Sequence, residues 1–500
     1  MTNRYAVGAL MGALMLVVTG CPSEECIDQF DCNNSQGSPG TGKTWACVEN
    51  RCVARDVNTE PPPTGDAGTN PTPDAGTETD AGTPGEMTID EGGDCATTAS
   101  CMAGLYCNPA DSKCAPLHIA VTVGPTTGST PTYAVVVPYN KTVSATRLSE
   151  DAATTNKFPR WNQDGSAVAF VDIDTNNNVS LVSRALPLET SQLNTLVTGA
   201  AANTKDFSYM EWAPSNTIAW SRTFLDPTTN RDSTTGIWAY TPPDGPAAVV
   251  TSSGVFPSWA SDGASFVYSA NGLGLQNRVL TDASSGSVPG PTNTTAEQPL
   301  HNKTNGVLLY LDAKGNVEAG LGDQPLTSLY TVNTTPTAPS VPTENEIALA
   351  RDEGAPSATG QLKSYIANHT WAPAGTHVAY VRVFYFQPLV GDPYLCSGSN
   401  CGGQQGNVVY VRRIDPATGT PSGDELKFAD EATLPSFSPD GQFLAYVSGA
   451  QLKVQKIDPN ATTAETIKVA GAFSSHDWSA ENRRVLSNRG DDHRPRWQPR

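Results

Sequence analysis

Residues 434–448 read "LPSFSPDGQFLAYVS". The order of residue types in this stretch decides the fold. Leu434 to Phe437 is a short apolar strand, Ser438-Pro439-Asp440-Gly441 a tight turn, and Phe443 to Val447 a second apolar strand. Asp-Gly closes β-hairpins because both residues tolerate the left-handed backbone of a tight turn. The run after the turn is apolar at nearly every position, so burial on both faces is expected. One hairpin cannot bury that surface alone.

The pattern recurs. Phe158-Pro159-Arg160-Trp161 leads into "NQDGSAVAFV", Met210-Glu211-Trp212 into "APSNTIAWS", and Phe256-Pro257-Ser258-Trp259 into "ASDGASFVYS". Thr370-Trp371 leads into "APAGTHVAYV", and His476-Asp477-Trp478 into "SAENRRVLS". A degenerate copy, "PLHNKTNGVLLYLD", starts at Pro299. Further strands such as "NVVYVRRID" and "QLKVQKID" follow the hairpins, giving four-stranded sheets. Similar sheets stacked radially around an axis bury such hairpins and limit exposed edges. The aromatic residue before each turn is expected to pack on the neighbouring sheet.

This repeat resembles the TolB-type propeller signature, P-x-W-S-P-D-G-x-x-[IL]-A-[FY], over about residues 117–500. The resemblance implies a mainly all-β chain with a β-propeller of about seven blades, or six if the Pro299 copy is not a blade. Two longer intervals hold extra stretches, "TVNTTPTAPSVPTEN" from Thr331 and "YFQPLVGDPYLCSGSNCGGQQGN" from Tyr385. The last hairpin is expected from about Phe473 to Ser487. "TYAVVVPYN" and "TVSATRLS" precede the first Trp motif without a hairpin of their own, so they are expected to complete the last blade. The C-terminal "RPRWQPR" echoes the Trp motif and is expected to add to that seam.

The N-terminal sequence "MTNRYAVGALMGALMLVVTGC" has a polar start with Arg4 and an apolar run of signal-peptide length. It ends in Val18-Thr19-Gly20-Cys21, which resembles the bacterial lipobox. The resemblance implies removal of residues 1–20 and acylation of Cys21, with several chains forming a durable anchor.

The chain has eleven cysteines, and setting Cys21 aside leaves an even number, as an oxidising compartment favours. Cys26, Cys32, Cys47 and Cys52 fall in a first module (21–52). Cys95, Cys101, Cys107 and Cys114 fall in a second (94–116), and Cys396 and Cys401 form a local pair. Their spacings are wider than zinc knuckles, and His118 has no second histidine beside it, so disulfides are expected. The modules resemble small Dickkopf-like Cys-rich units of exported bacterial lipoproteins. Four cysteines allow three pairings; first-with-third and second-with-fourth is the one expected. Between the modules, residues 53–93 repeat Asp-Ala-Gly-Thr at Asp66, Asp74 and Asp80 and are expected to be a disordered spacer. Roughly 40 such residues span on the order of 35 Å. The propeller is assigned to 117–500.

"GSPGTGKT" at 37–44 matches the phosphate-binding loop string. That loop needs an apolar strand before it and a helix after it. Here "FDCNNSQ" precedes it and Cys47 follows at once, so no nucleotide is expected. The runs "AVAFVD" (to Asp172) and "VLLYLD" (to Asp312) mimic a Walker B strand but belong to propeller hairpins. The net charge of −19 argues against nucleic acid, which needs clustered Lys and Arg.

Neither G-x-S-x-G nor H-E-x-x-H occurs. His369 and His377 straddle one turn and could approach across two strands. "DIDTNNN" (172–178) starts like a calcium loop but lacks the later Gly and Glu. No catalytic, cofactor-binding or metal-binding residue is assigned, and no cofactor is expected.

The resulting expectation is an envelope lipoprotein, at the outer membrane or cell surface and facing the periplasm or exterior. Its propeller would be a noncatalytic protein- or glycan-binding scaffold. The alternative is a propeller lyase or hydrolase, which needs convergent acids, His or Arg in one cavity.

Overall fold

The computed structural model describes residues 43–48, 51–56 and most of 89–499, the longest breaks there being 335–342, 354–359 and 389–403. The chain divides into two compact units, 1–82 and 83–500. Cys21, Cys26, Cys32, Cys396 and Cys401 lie outside the described residues, as do the side chains of Cys47 and Cys52 and the region 1–20.

Within the second unit, seven antiparallel sheets form a β-propeller. Blade 1 is Thr155–Trp161, Ala167–Ile173, Val179–Ala185 and Leu193–Thr198. Blades 2, 3, 4, 5 and 6 occupy 206–251, 255–287, 297–348, 351–430 and 432–476 in turn. The degenerate copy at Pro299 is blade 4, so the count is seven. Blade 4 also carries a small hairpin, Val317–Glu318 with Gln324–Pro325, and blade 5 carries a fifth strand, Arg351–Asp352.

Blade 7 joins the chain ends. His118–Pro125, Tyr133–Pro138 and Thr146–Arg147 come from the N-terminal side. Arg483–Val485 and Arg496–Trp497 pair with His118–Pro125. The expectation that 132–149 completes the last blade therefore holds, and 118–125 is an added strand. The expected hairpin at Phe473 to Ser487 does not form. Lys468–His476 is instead the last strand of blade 6, Ser479–Glu481 is a short 3-10 turn, and Arg483–Val485 crosses to blade 7. The seventh copy of the repeat is Pro495-Arg496-Trp497, split from its own second strand by nearly the whole chain.

A local irregularity recurs in the first strand of six blades. Register slips at Lys157/Arg160, Ser208/Glu211, Val255/Ser258, Glu297/Leu300, Ala367/Thr370 and Thr433/Ser436. Each slip places a residue at positive φ: Phe158, Tyr209, Phe256, Gln298, Asn368 and Leu434. Four of these precede proline, which lacks an N–H for the ladder and so suits a bulge. The amide freed by the bulge needs an acceptor. In three blades it comes from the preceding blade's second strand. Phe158 N donates to Thr122 Oγ1, Phe256 N to Ser221 Oγ and Gln298 N to Ser269 Oγ, at 3.0–3.1 Å. This explains buried hydroxyls in otherwise apolar strands.

Three residues after each positive-φ position stands the aromatic anchor. In five blades its ring nitrogen donates to a carbonyl on the first strand of the preceding blade. Trp161 reaches Arg496 O at 3.0 Å, Trp259 Glu211 O at 3.1 Å, Trp371 Leu300 O at 3.0 Å and Trp497 Ser436 O at 2.9 Å. In blade 4 the anchor is His301, whose Nδ1 donates to Ser258 O at 3.1 Å. Phe437 fills the position in blade 6 by packing alone. The anchors thus pack at each blade junction, and in blades 1, 3, 4, 5 and 7 they also hydrogen-bond to the preceding blade, while in blade 2 the Trp212 ring nitrogen makes no hydrogen bond.

The second Cys-rich module is part of the same compact unit. Cys95 bonds to Cys107 and Cys101 to Cys114. It begins before residue 94, because Ile89 bridges Cys101 and Gly92 N donates to Cys114 O. It packs on the seam. Tyr106 and Ala103 join the blade 6/7 core, and Gly104 N donates to Asp440 Oδ2 at 2.7 Å. Gly104 has a φ of 78°, and a Cβ there would lie 2.4 Å from the Tyr139 hydroxyl. In the first unit, Lys43–Val48 pairs with Arg51–Asp56 and sets Cys47 opposite Cys52. The second module sets Cys107 opposite Cys114 in the same way.

Candidate functional site

The seam does more than close the ring. Between Arg483–Val485 and Arg496–Trp497 the chain makes an excursion in place of the two-residue bulge of the other blades. Its 3-10 turn, Gly490–His493, lies against the first strands of blades 1, 2 and 6. Asp492 is 1 % exposed and forms an ion pair with Arg160 at 3.4 Å. Asp492 Oδ1 also accepts the Tyr209 amide, freed by the blade 2 bulge, at 2.6 Å. Arg160 continues to Met210 O at 2.9 Å, and the His493 ring packs on Phe158. The excursion therefore fills the axial side of the ring between blades 6 and 2, and buried charge is matched by charge.

On the remaining side a cavity of about 80 Å³ is left, partly open to solvent. Its wall is the kinked first strands: Tyr209, Met210 and Glu211 of blade 2, Phe256 and Pro257 of blade 3, Gln298, Pro299 and Leu300 of blade 4, and His369 of blade 5. Arg494 and Arg496 close it from the seam. Glu211 is the one acidic side chain in this lining. One of its oxygens lies 3.7 Å from Lys303 Nζ, and the other accepts the Trp259 amide at 3.3 Å. Tyr209 and Phe256 stack at 4.1 Å between ring centroids.

The sequence singled out His369 only as one of a pair, and the structure separates that pair. Thr370 stands opposite Ala379, His369 turns to the cavity, and His377 pairs with Arg413 at the turn end. Burial and Arg413 hold the His377 imidazole down to about 4. Glu211, Arg494 and Arg496 were missed as site residues. The signal available was positional, since each sits in or beside an aromatic-anchor motif whose neighbours face the axis.

The other sequence candidates are structural. The 172–178 segment is a turn, with Asp174 accepting the Asn176 and Asn178 amides at 2.8 Å. Asp172 lies on blade 1, and Asp312 accepts Thr295 Oγ1 on blade 4. Among the described residues, the one group of three metal-type ligands is Cys95, Cys101 and Cys114, which are disulfide-bonded. In blade 5, buried Arg382 is gripped by Glu425 through two bonds, at 2.7 and 3.0 Å, and Tyr380 donates to the same carboxylate, so the Glu425 charge is matched within the blade. After "GSPGTG", Lys43–Val48 is a strand where a phosphate loop needs a helix. Lys43→Ala is expected to leave folding unchanged, with circular dichroism and melting as the check; ATP binding lost on that change would overturn the reading.

No protein-family model matches this chain. No curated protein matches it either. Among solved structures it is similar to TolB from Acinetobacter baumannii, at 14% identity over 77% of this chain and 67% of that one, TM-score 0.35. A functionally unknown protein from Desulfotomaculum acetoxidans aligns at 10% identity over 72% of this chain and 99% of that one, TM-score 0.41. Prolyl oligopeptidase B from Galerina marginata aligns at 10% identity and TM-score 0.41, this chain covering 72% of itself and only 51% of that protein. Likenesses at this level carry no functional argument; the propeller rests on its own strand pairing.

Proposed function

We propose that the protein is an envelope lipoprotein, held to a membrane through Cys21, whose propeller binds a protein or glycan ligand at its axial mouth without transforming it. The observation that carries this reading is the axial cavity. Five different segments build it, yet its volume of about 80 Å³ is well below the roughly 300–1,000 Å³ of pockets that engulf a small molecule. Such a site grips a projecting group of a larger ligand. The disulfides of the second module fit an oxidising compartment.

A second reading has one observation in its favour. Glu211, His369, Arg494 and Arg496 meet around one cavity, as a lyase or hydrolase would require. Against it, the Glu211 carboxylate is occupied by Lys303 and the Trp259 amide.

Cys21→Ser is expected to move the protein from the membrane to the soluble fraction. A photo-crosslinking side chain at Phe256, on the axial cavity, is expected to trap a discrete adduct in intact cells. The same group at Asn194, exposed on the outer strand of blade 1, is expected to trap none. Identical products from both positions would remove the axial-mouth reading.

A further inference from the structure

We infer that the second Cys-rich module is a redox-sensitive clasp: its two disulfides shape a docking surface that helps keep the propeller ring closed, and a dithiol that reduces them loosens the seam. Consecutive blades follow one another along the chain, but the N-terminal strands of blade 7 meet the C-terminal side by pairing and packing. That pairing is short. Arg483–Val485 contributes three residues and Arg496–Trp497 two, against His118–Pro125. The module lies across this joint. Gly104 N donates to Asp440 Oδ2 in the blade 6 turn at 2.7 Å, linking residues 336 apart in sequence. Gly104 O accepts the Leu117 amide at 2.8 Å, and Leu117 O accepts the Tyr139 amide at 3.1 Å, so the same residue is tied to blade 7. Glu91 pairs with Lys141 and accepts Asn140 Nδ2 at 3.4 Å. Ala103 and Tyr106 pack on the core that blades 6 and 7 share.

The bridges hold these contact residues in place. Ala103, Gly104 and Tyr106 all lie between Cys101 and Cys107, one end of each bridge. The module's own core is Cys95, Cys101, Leu105 and Cys114, with Ile89 and Cys107 packed against it. Most of that core is bridged cysteine, so reduction removes the cross-links and disperses the core together. A unit this small does not stay folded without such staples. Access sets the order of events. Cys107 is half-buried, whereas Cys101 and Cys114 are 0 % and 1 % exposed. A dithiol therefore attacks the Cys95–Cys107 bridge first and reaches Cys101–Cys114 once the module opens. Each reduction breaks one S–S bond, takes up two electrons and two protons to give two thiols, and oxidises one dithiol to its disulfide.

The test is hydrogen–deuterium exchange on the full chain, unaltered and carrying Cys95→Ala with Cys107→Ala. In the double variant, exchange over the seam strands 118–125 and 483–497 is expected to rise about tenfold, while 265–270 in blade 3 stays within about twofold. Ala103→Arg keeps every cysteine and places a charge where the module meets the core. It is expected to give the same seam-specific rise with both bridges intact. If the double variant folds poorly, stepwise reduction of the unaltered protein with dithiothreitol reads the same effect. Alkylation and mass spectrometry then report which thiols are free, and seam exchange is expected to rise in step with labelling of Cys95 and Cys107. Seam exchange that stays unchanged once both are labelled would overturn the inference. So would a rise of equal size over 265–270, or an Ala103→Arg protein whose seam exchanges like its parent's.

Discussion

Trp497→Ala is expected to cost about 3–5 kcal/mol of stability, the range for deleting a buried large aromatic. Trp497 is 7 % exposed. It belongs to the strand that joins blade 7 to the ring. Its indole donates to Ser436 O on blade 6, and its ring packs against Tyr139 and Phe443. Removing it opens the contact between blades 6 and 7, so the loss should appear as a lower urea midpoint and a broadened transition. Trp497→Phe should recover the packing but not the hydrogen bond, leaving a deficit of about 1 kcal/mol. A Trp497→Ala protein that melts like its parent would show that the ring closes without this strand.

Acidification is the second large effect. Burial lowers the His301 imidazole to about 4, and burial with Arg413 does the same for His377. Burial also lowers His476. All three are depressed below the unfolded value near 6.5. Between about pH 6.5 and 4 the unfolded chain binds more protons than the folded one, so stability rises with pH across that window. The contribution is fully present above pH 6.5 and is lost as pH falls toward 4. For His301 alone the span amounts to about 3 kcal/mol. Its mechanism is local, since the anchor position of blade 4 holds a titratable ring where blades 1, 2, 3, 5 and 7 hold indole and blade 6 holds Phe437. His301→Gln keeps a donor and removes the charge, and is expected to flatten the slope of stability against pH between 6.5 and 4. An unchanged slope would place the acid sensitivity elsewhere.

Both effects arise at departures from the repeat, and the departures are where reading the sequence ran short. The regular copies were legible because each carries its own turn chemistry. Gly165, Gly263, Gly375 and Gly441 all sit at positive φ in the turns where they were expected. The Pro299 copy was harder, because its anchor is His301 and its turn, Asn302 to Gly306, lacks Asp-Gly. The 473–487 segment misled because His476-Asp477-Trp478 has the anchor's composition without a following partner strand. Its true partner lies at the other end of the sequence, and local pattern holds no record of such pairing. The axial cavity was invisible for the same reason, since its lining residues come from five blades and are neighbours only through the ring.

By itself, then, the amino-acid sequence determined the repeat, the hairpins, the blade number to within one, and the candidate disulfide framework. These depend on residues within about a dozen positions of one another, where turn geometry and apolar runs act. Tertiary structure alone decided which strands close the ring, that the second Cys-rich module docks on the seam, and that Arg494 and Arg496 meet Glu211 and His369 at the axis. Those outcomes follow from burying hairpins that cannot be buried singly. The geometry that satisfies all seven at once brings distant residues together, and no single stretch of sequence specifies it.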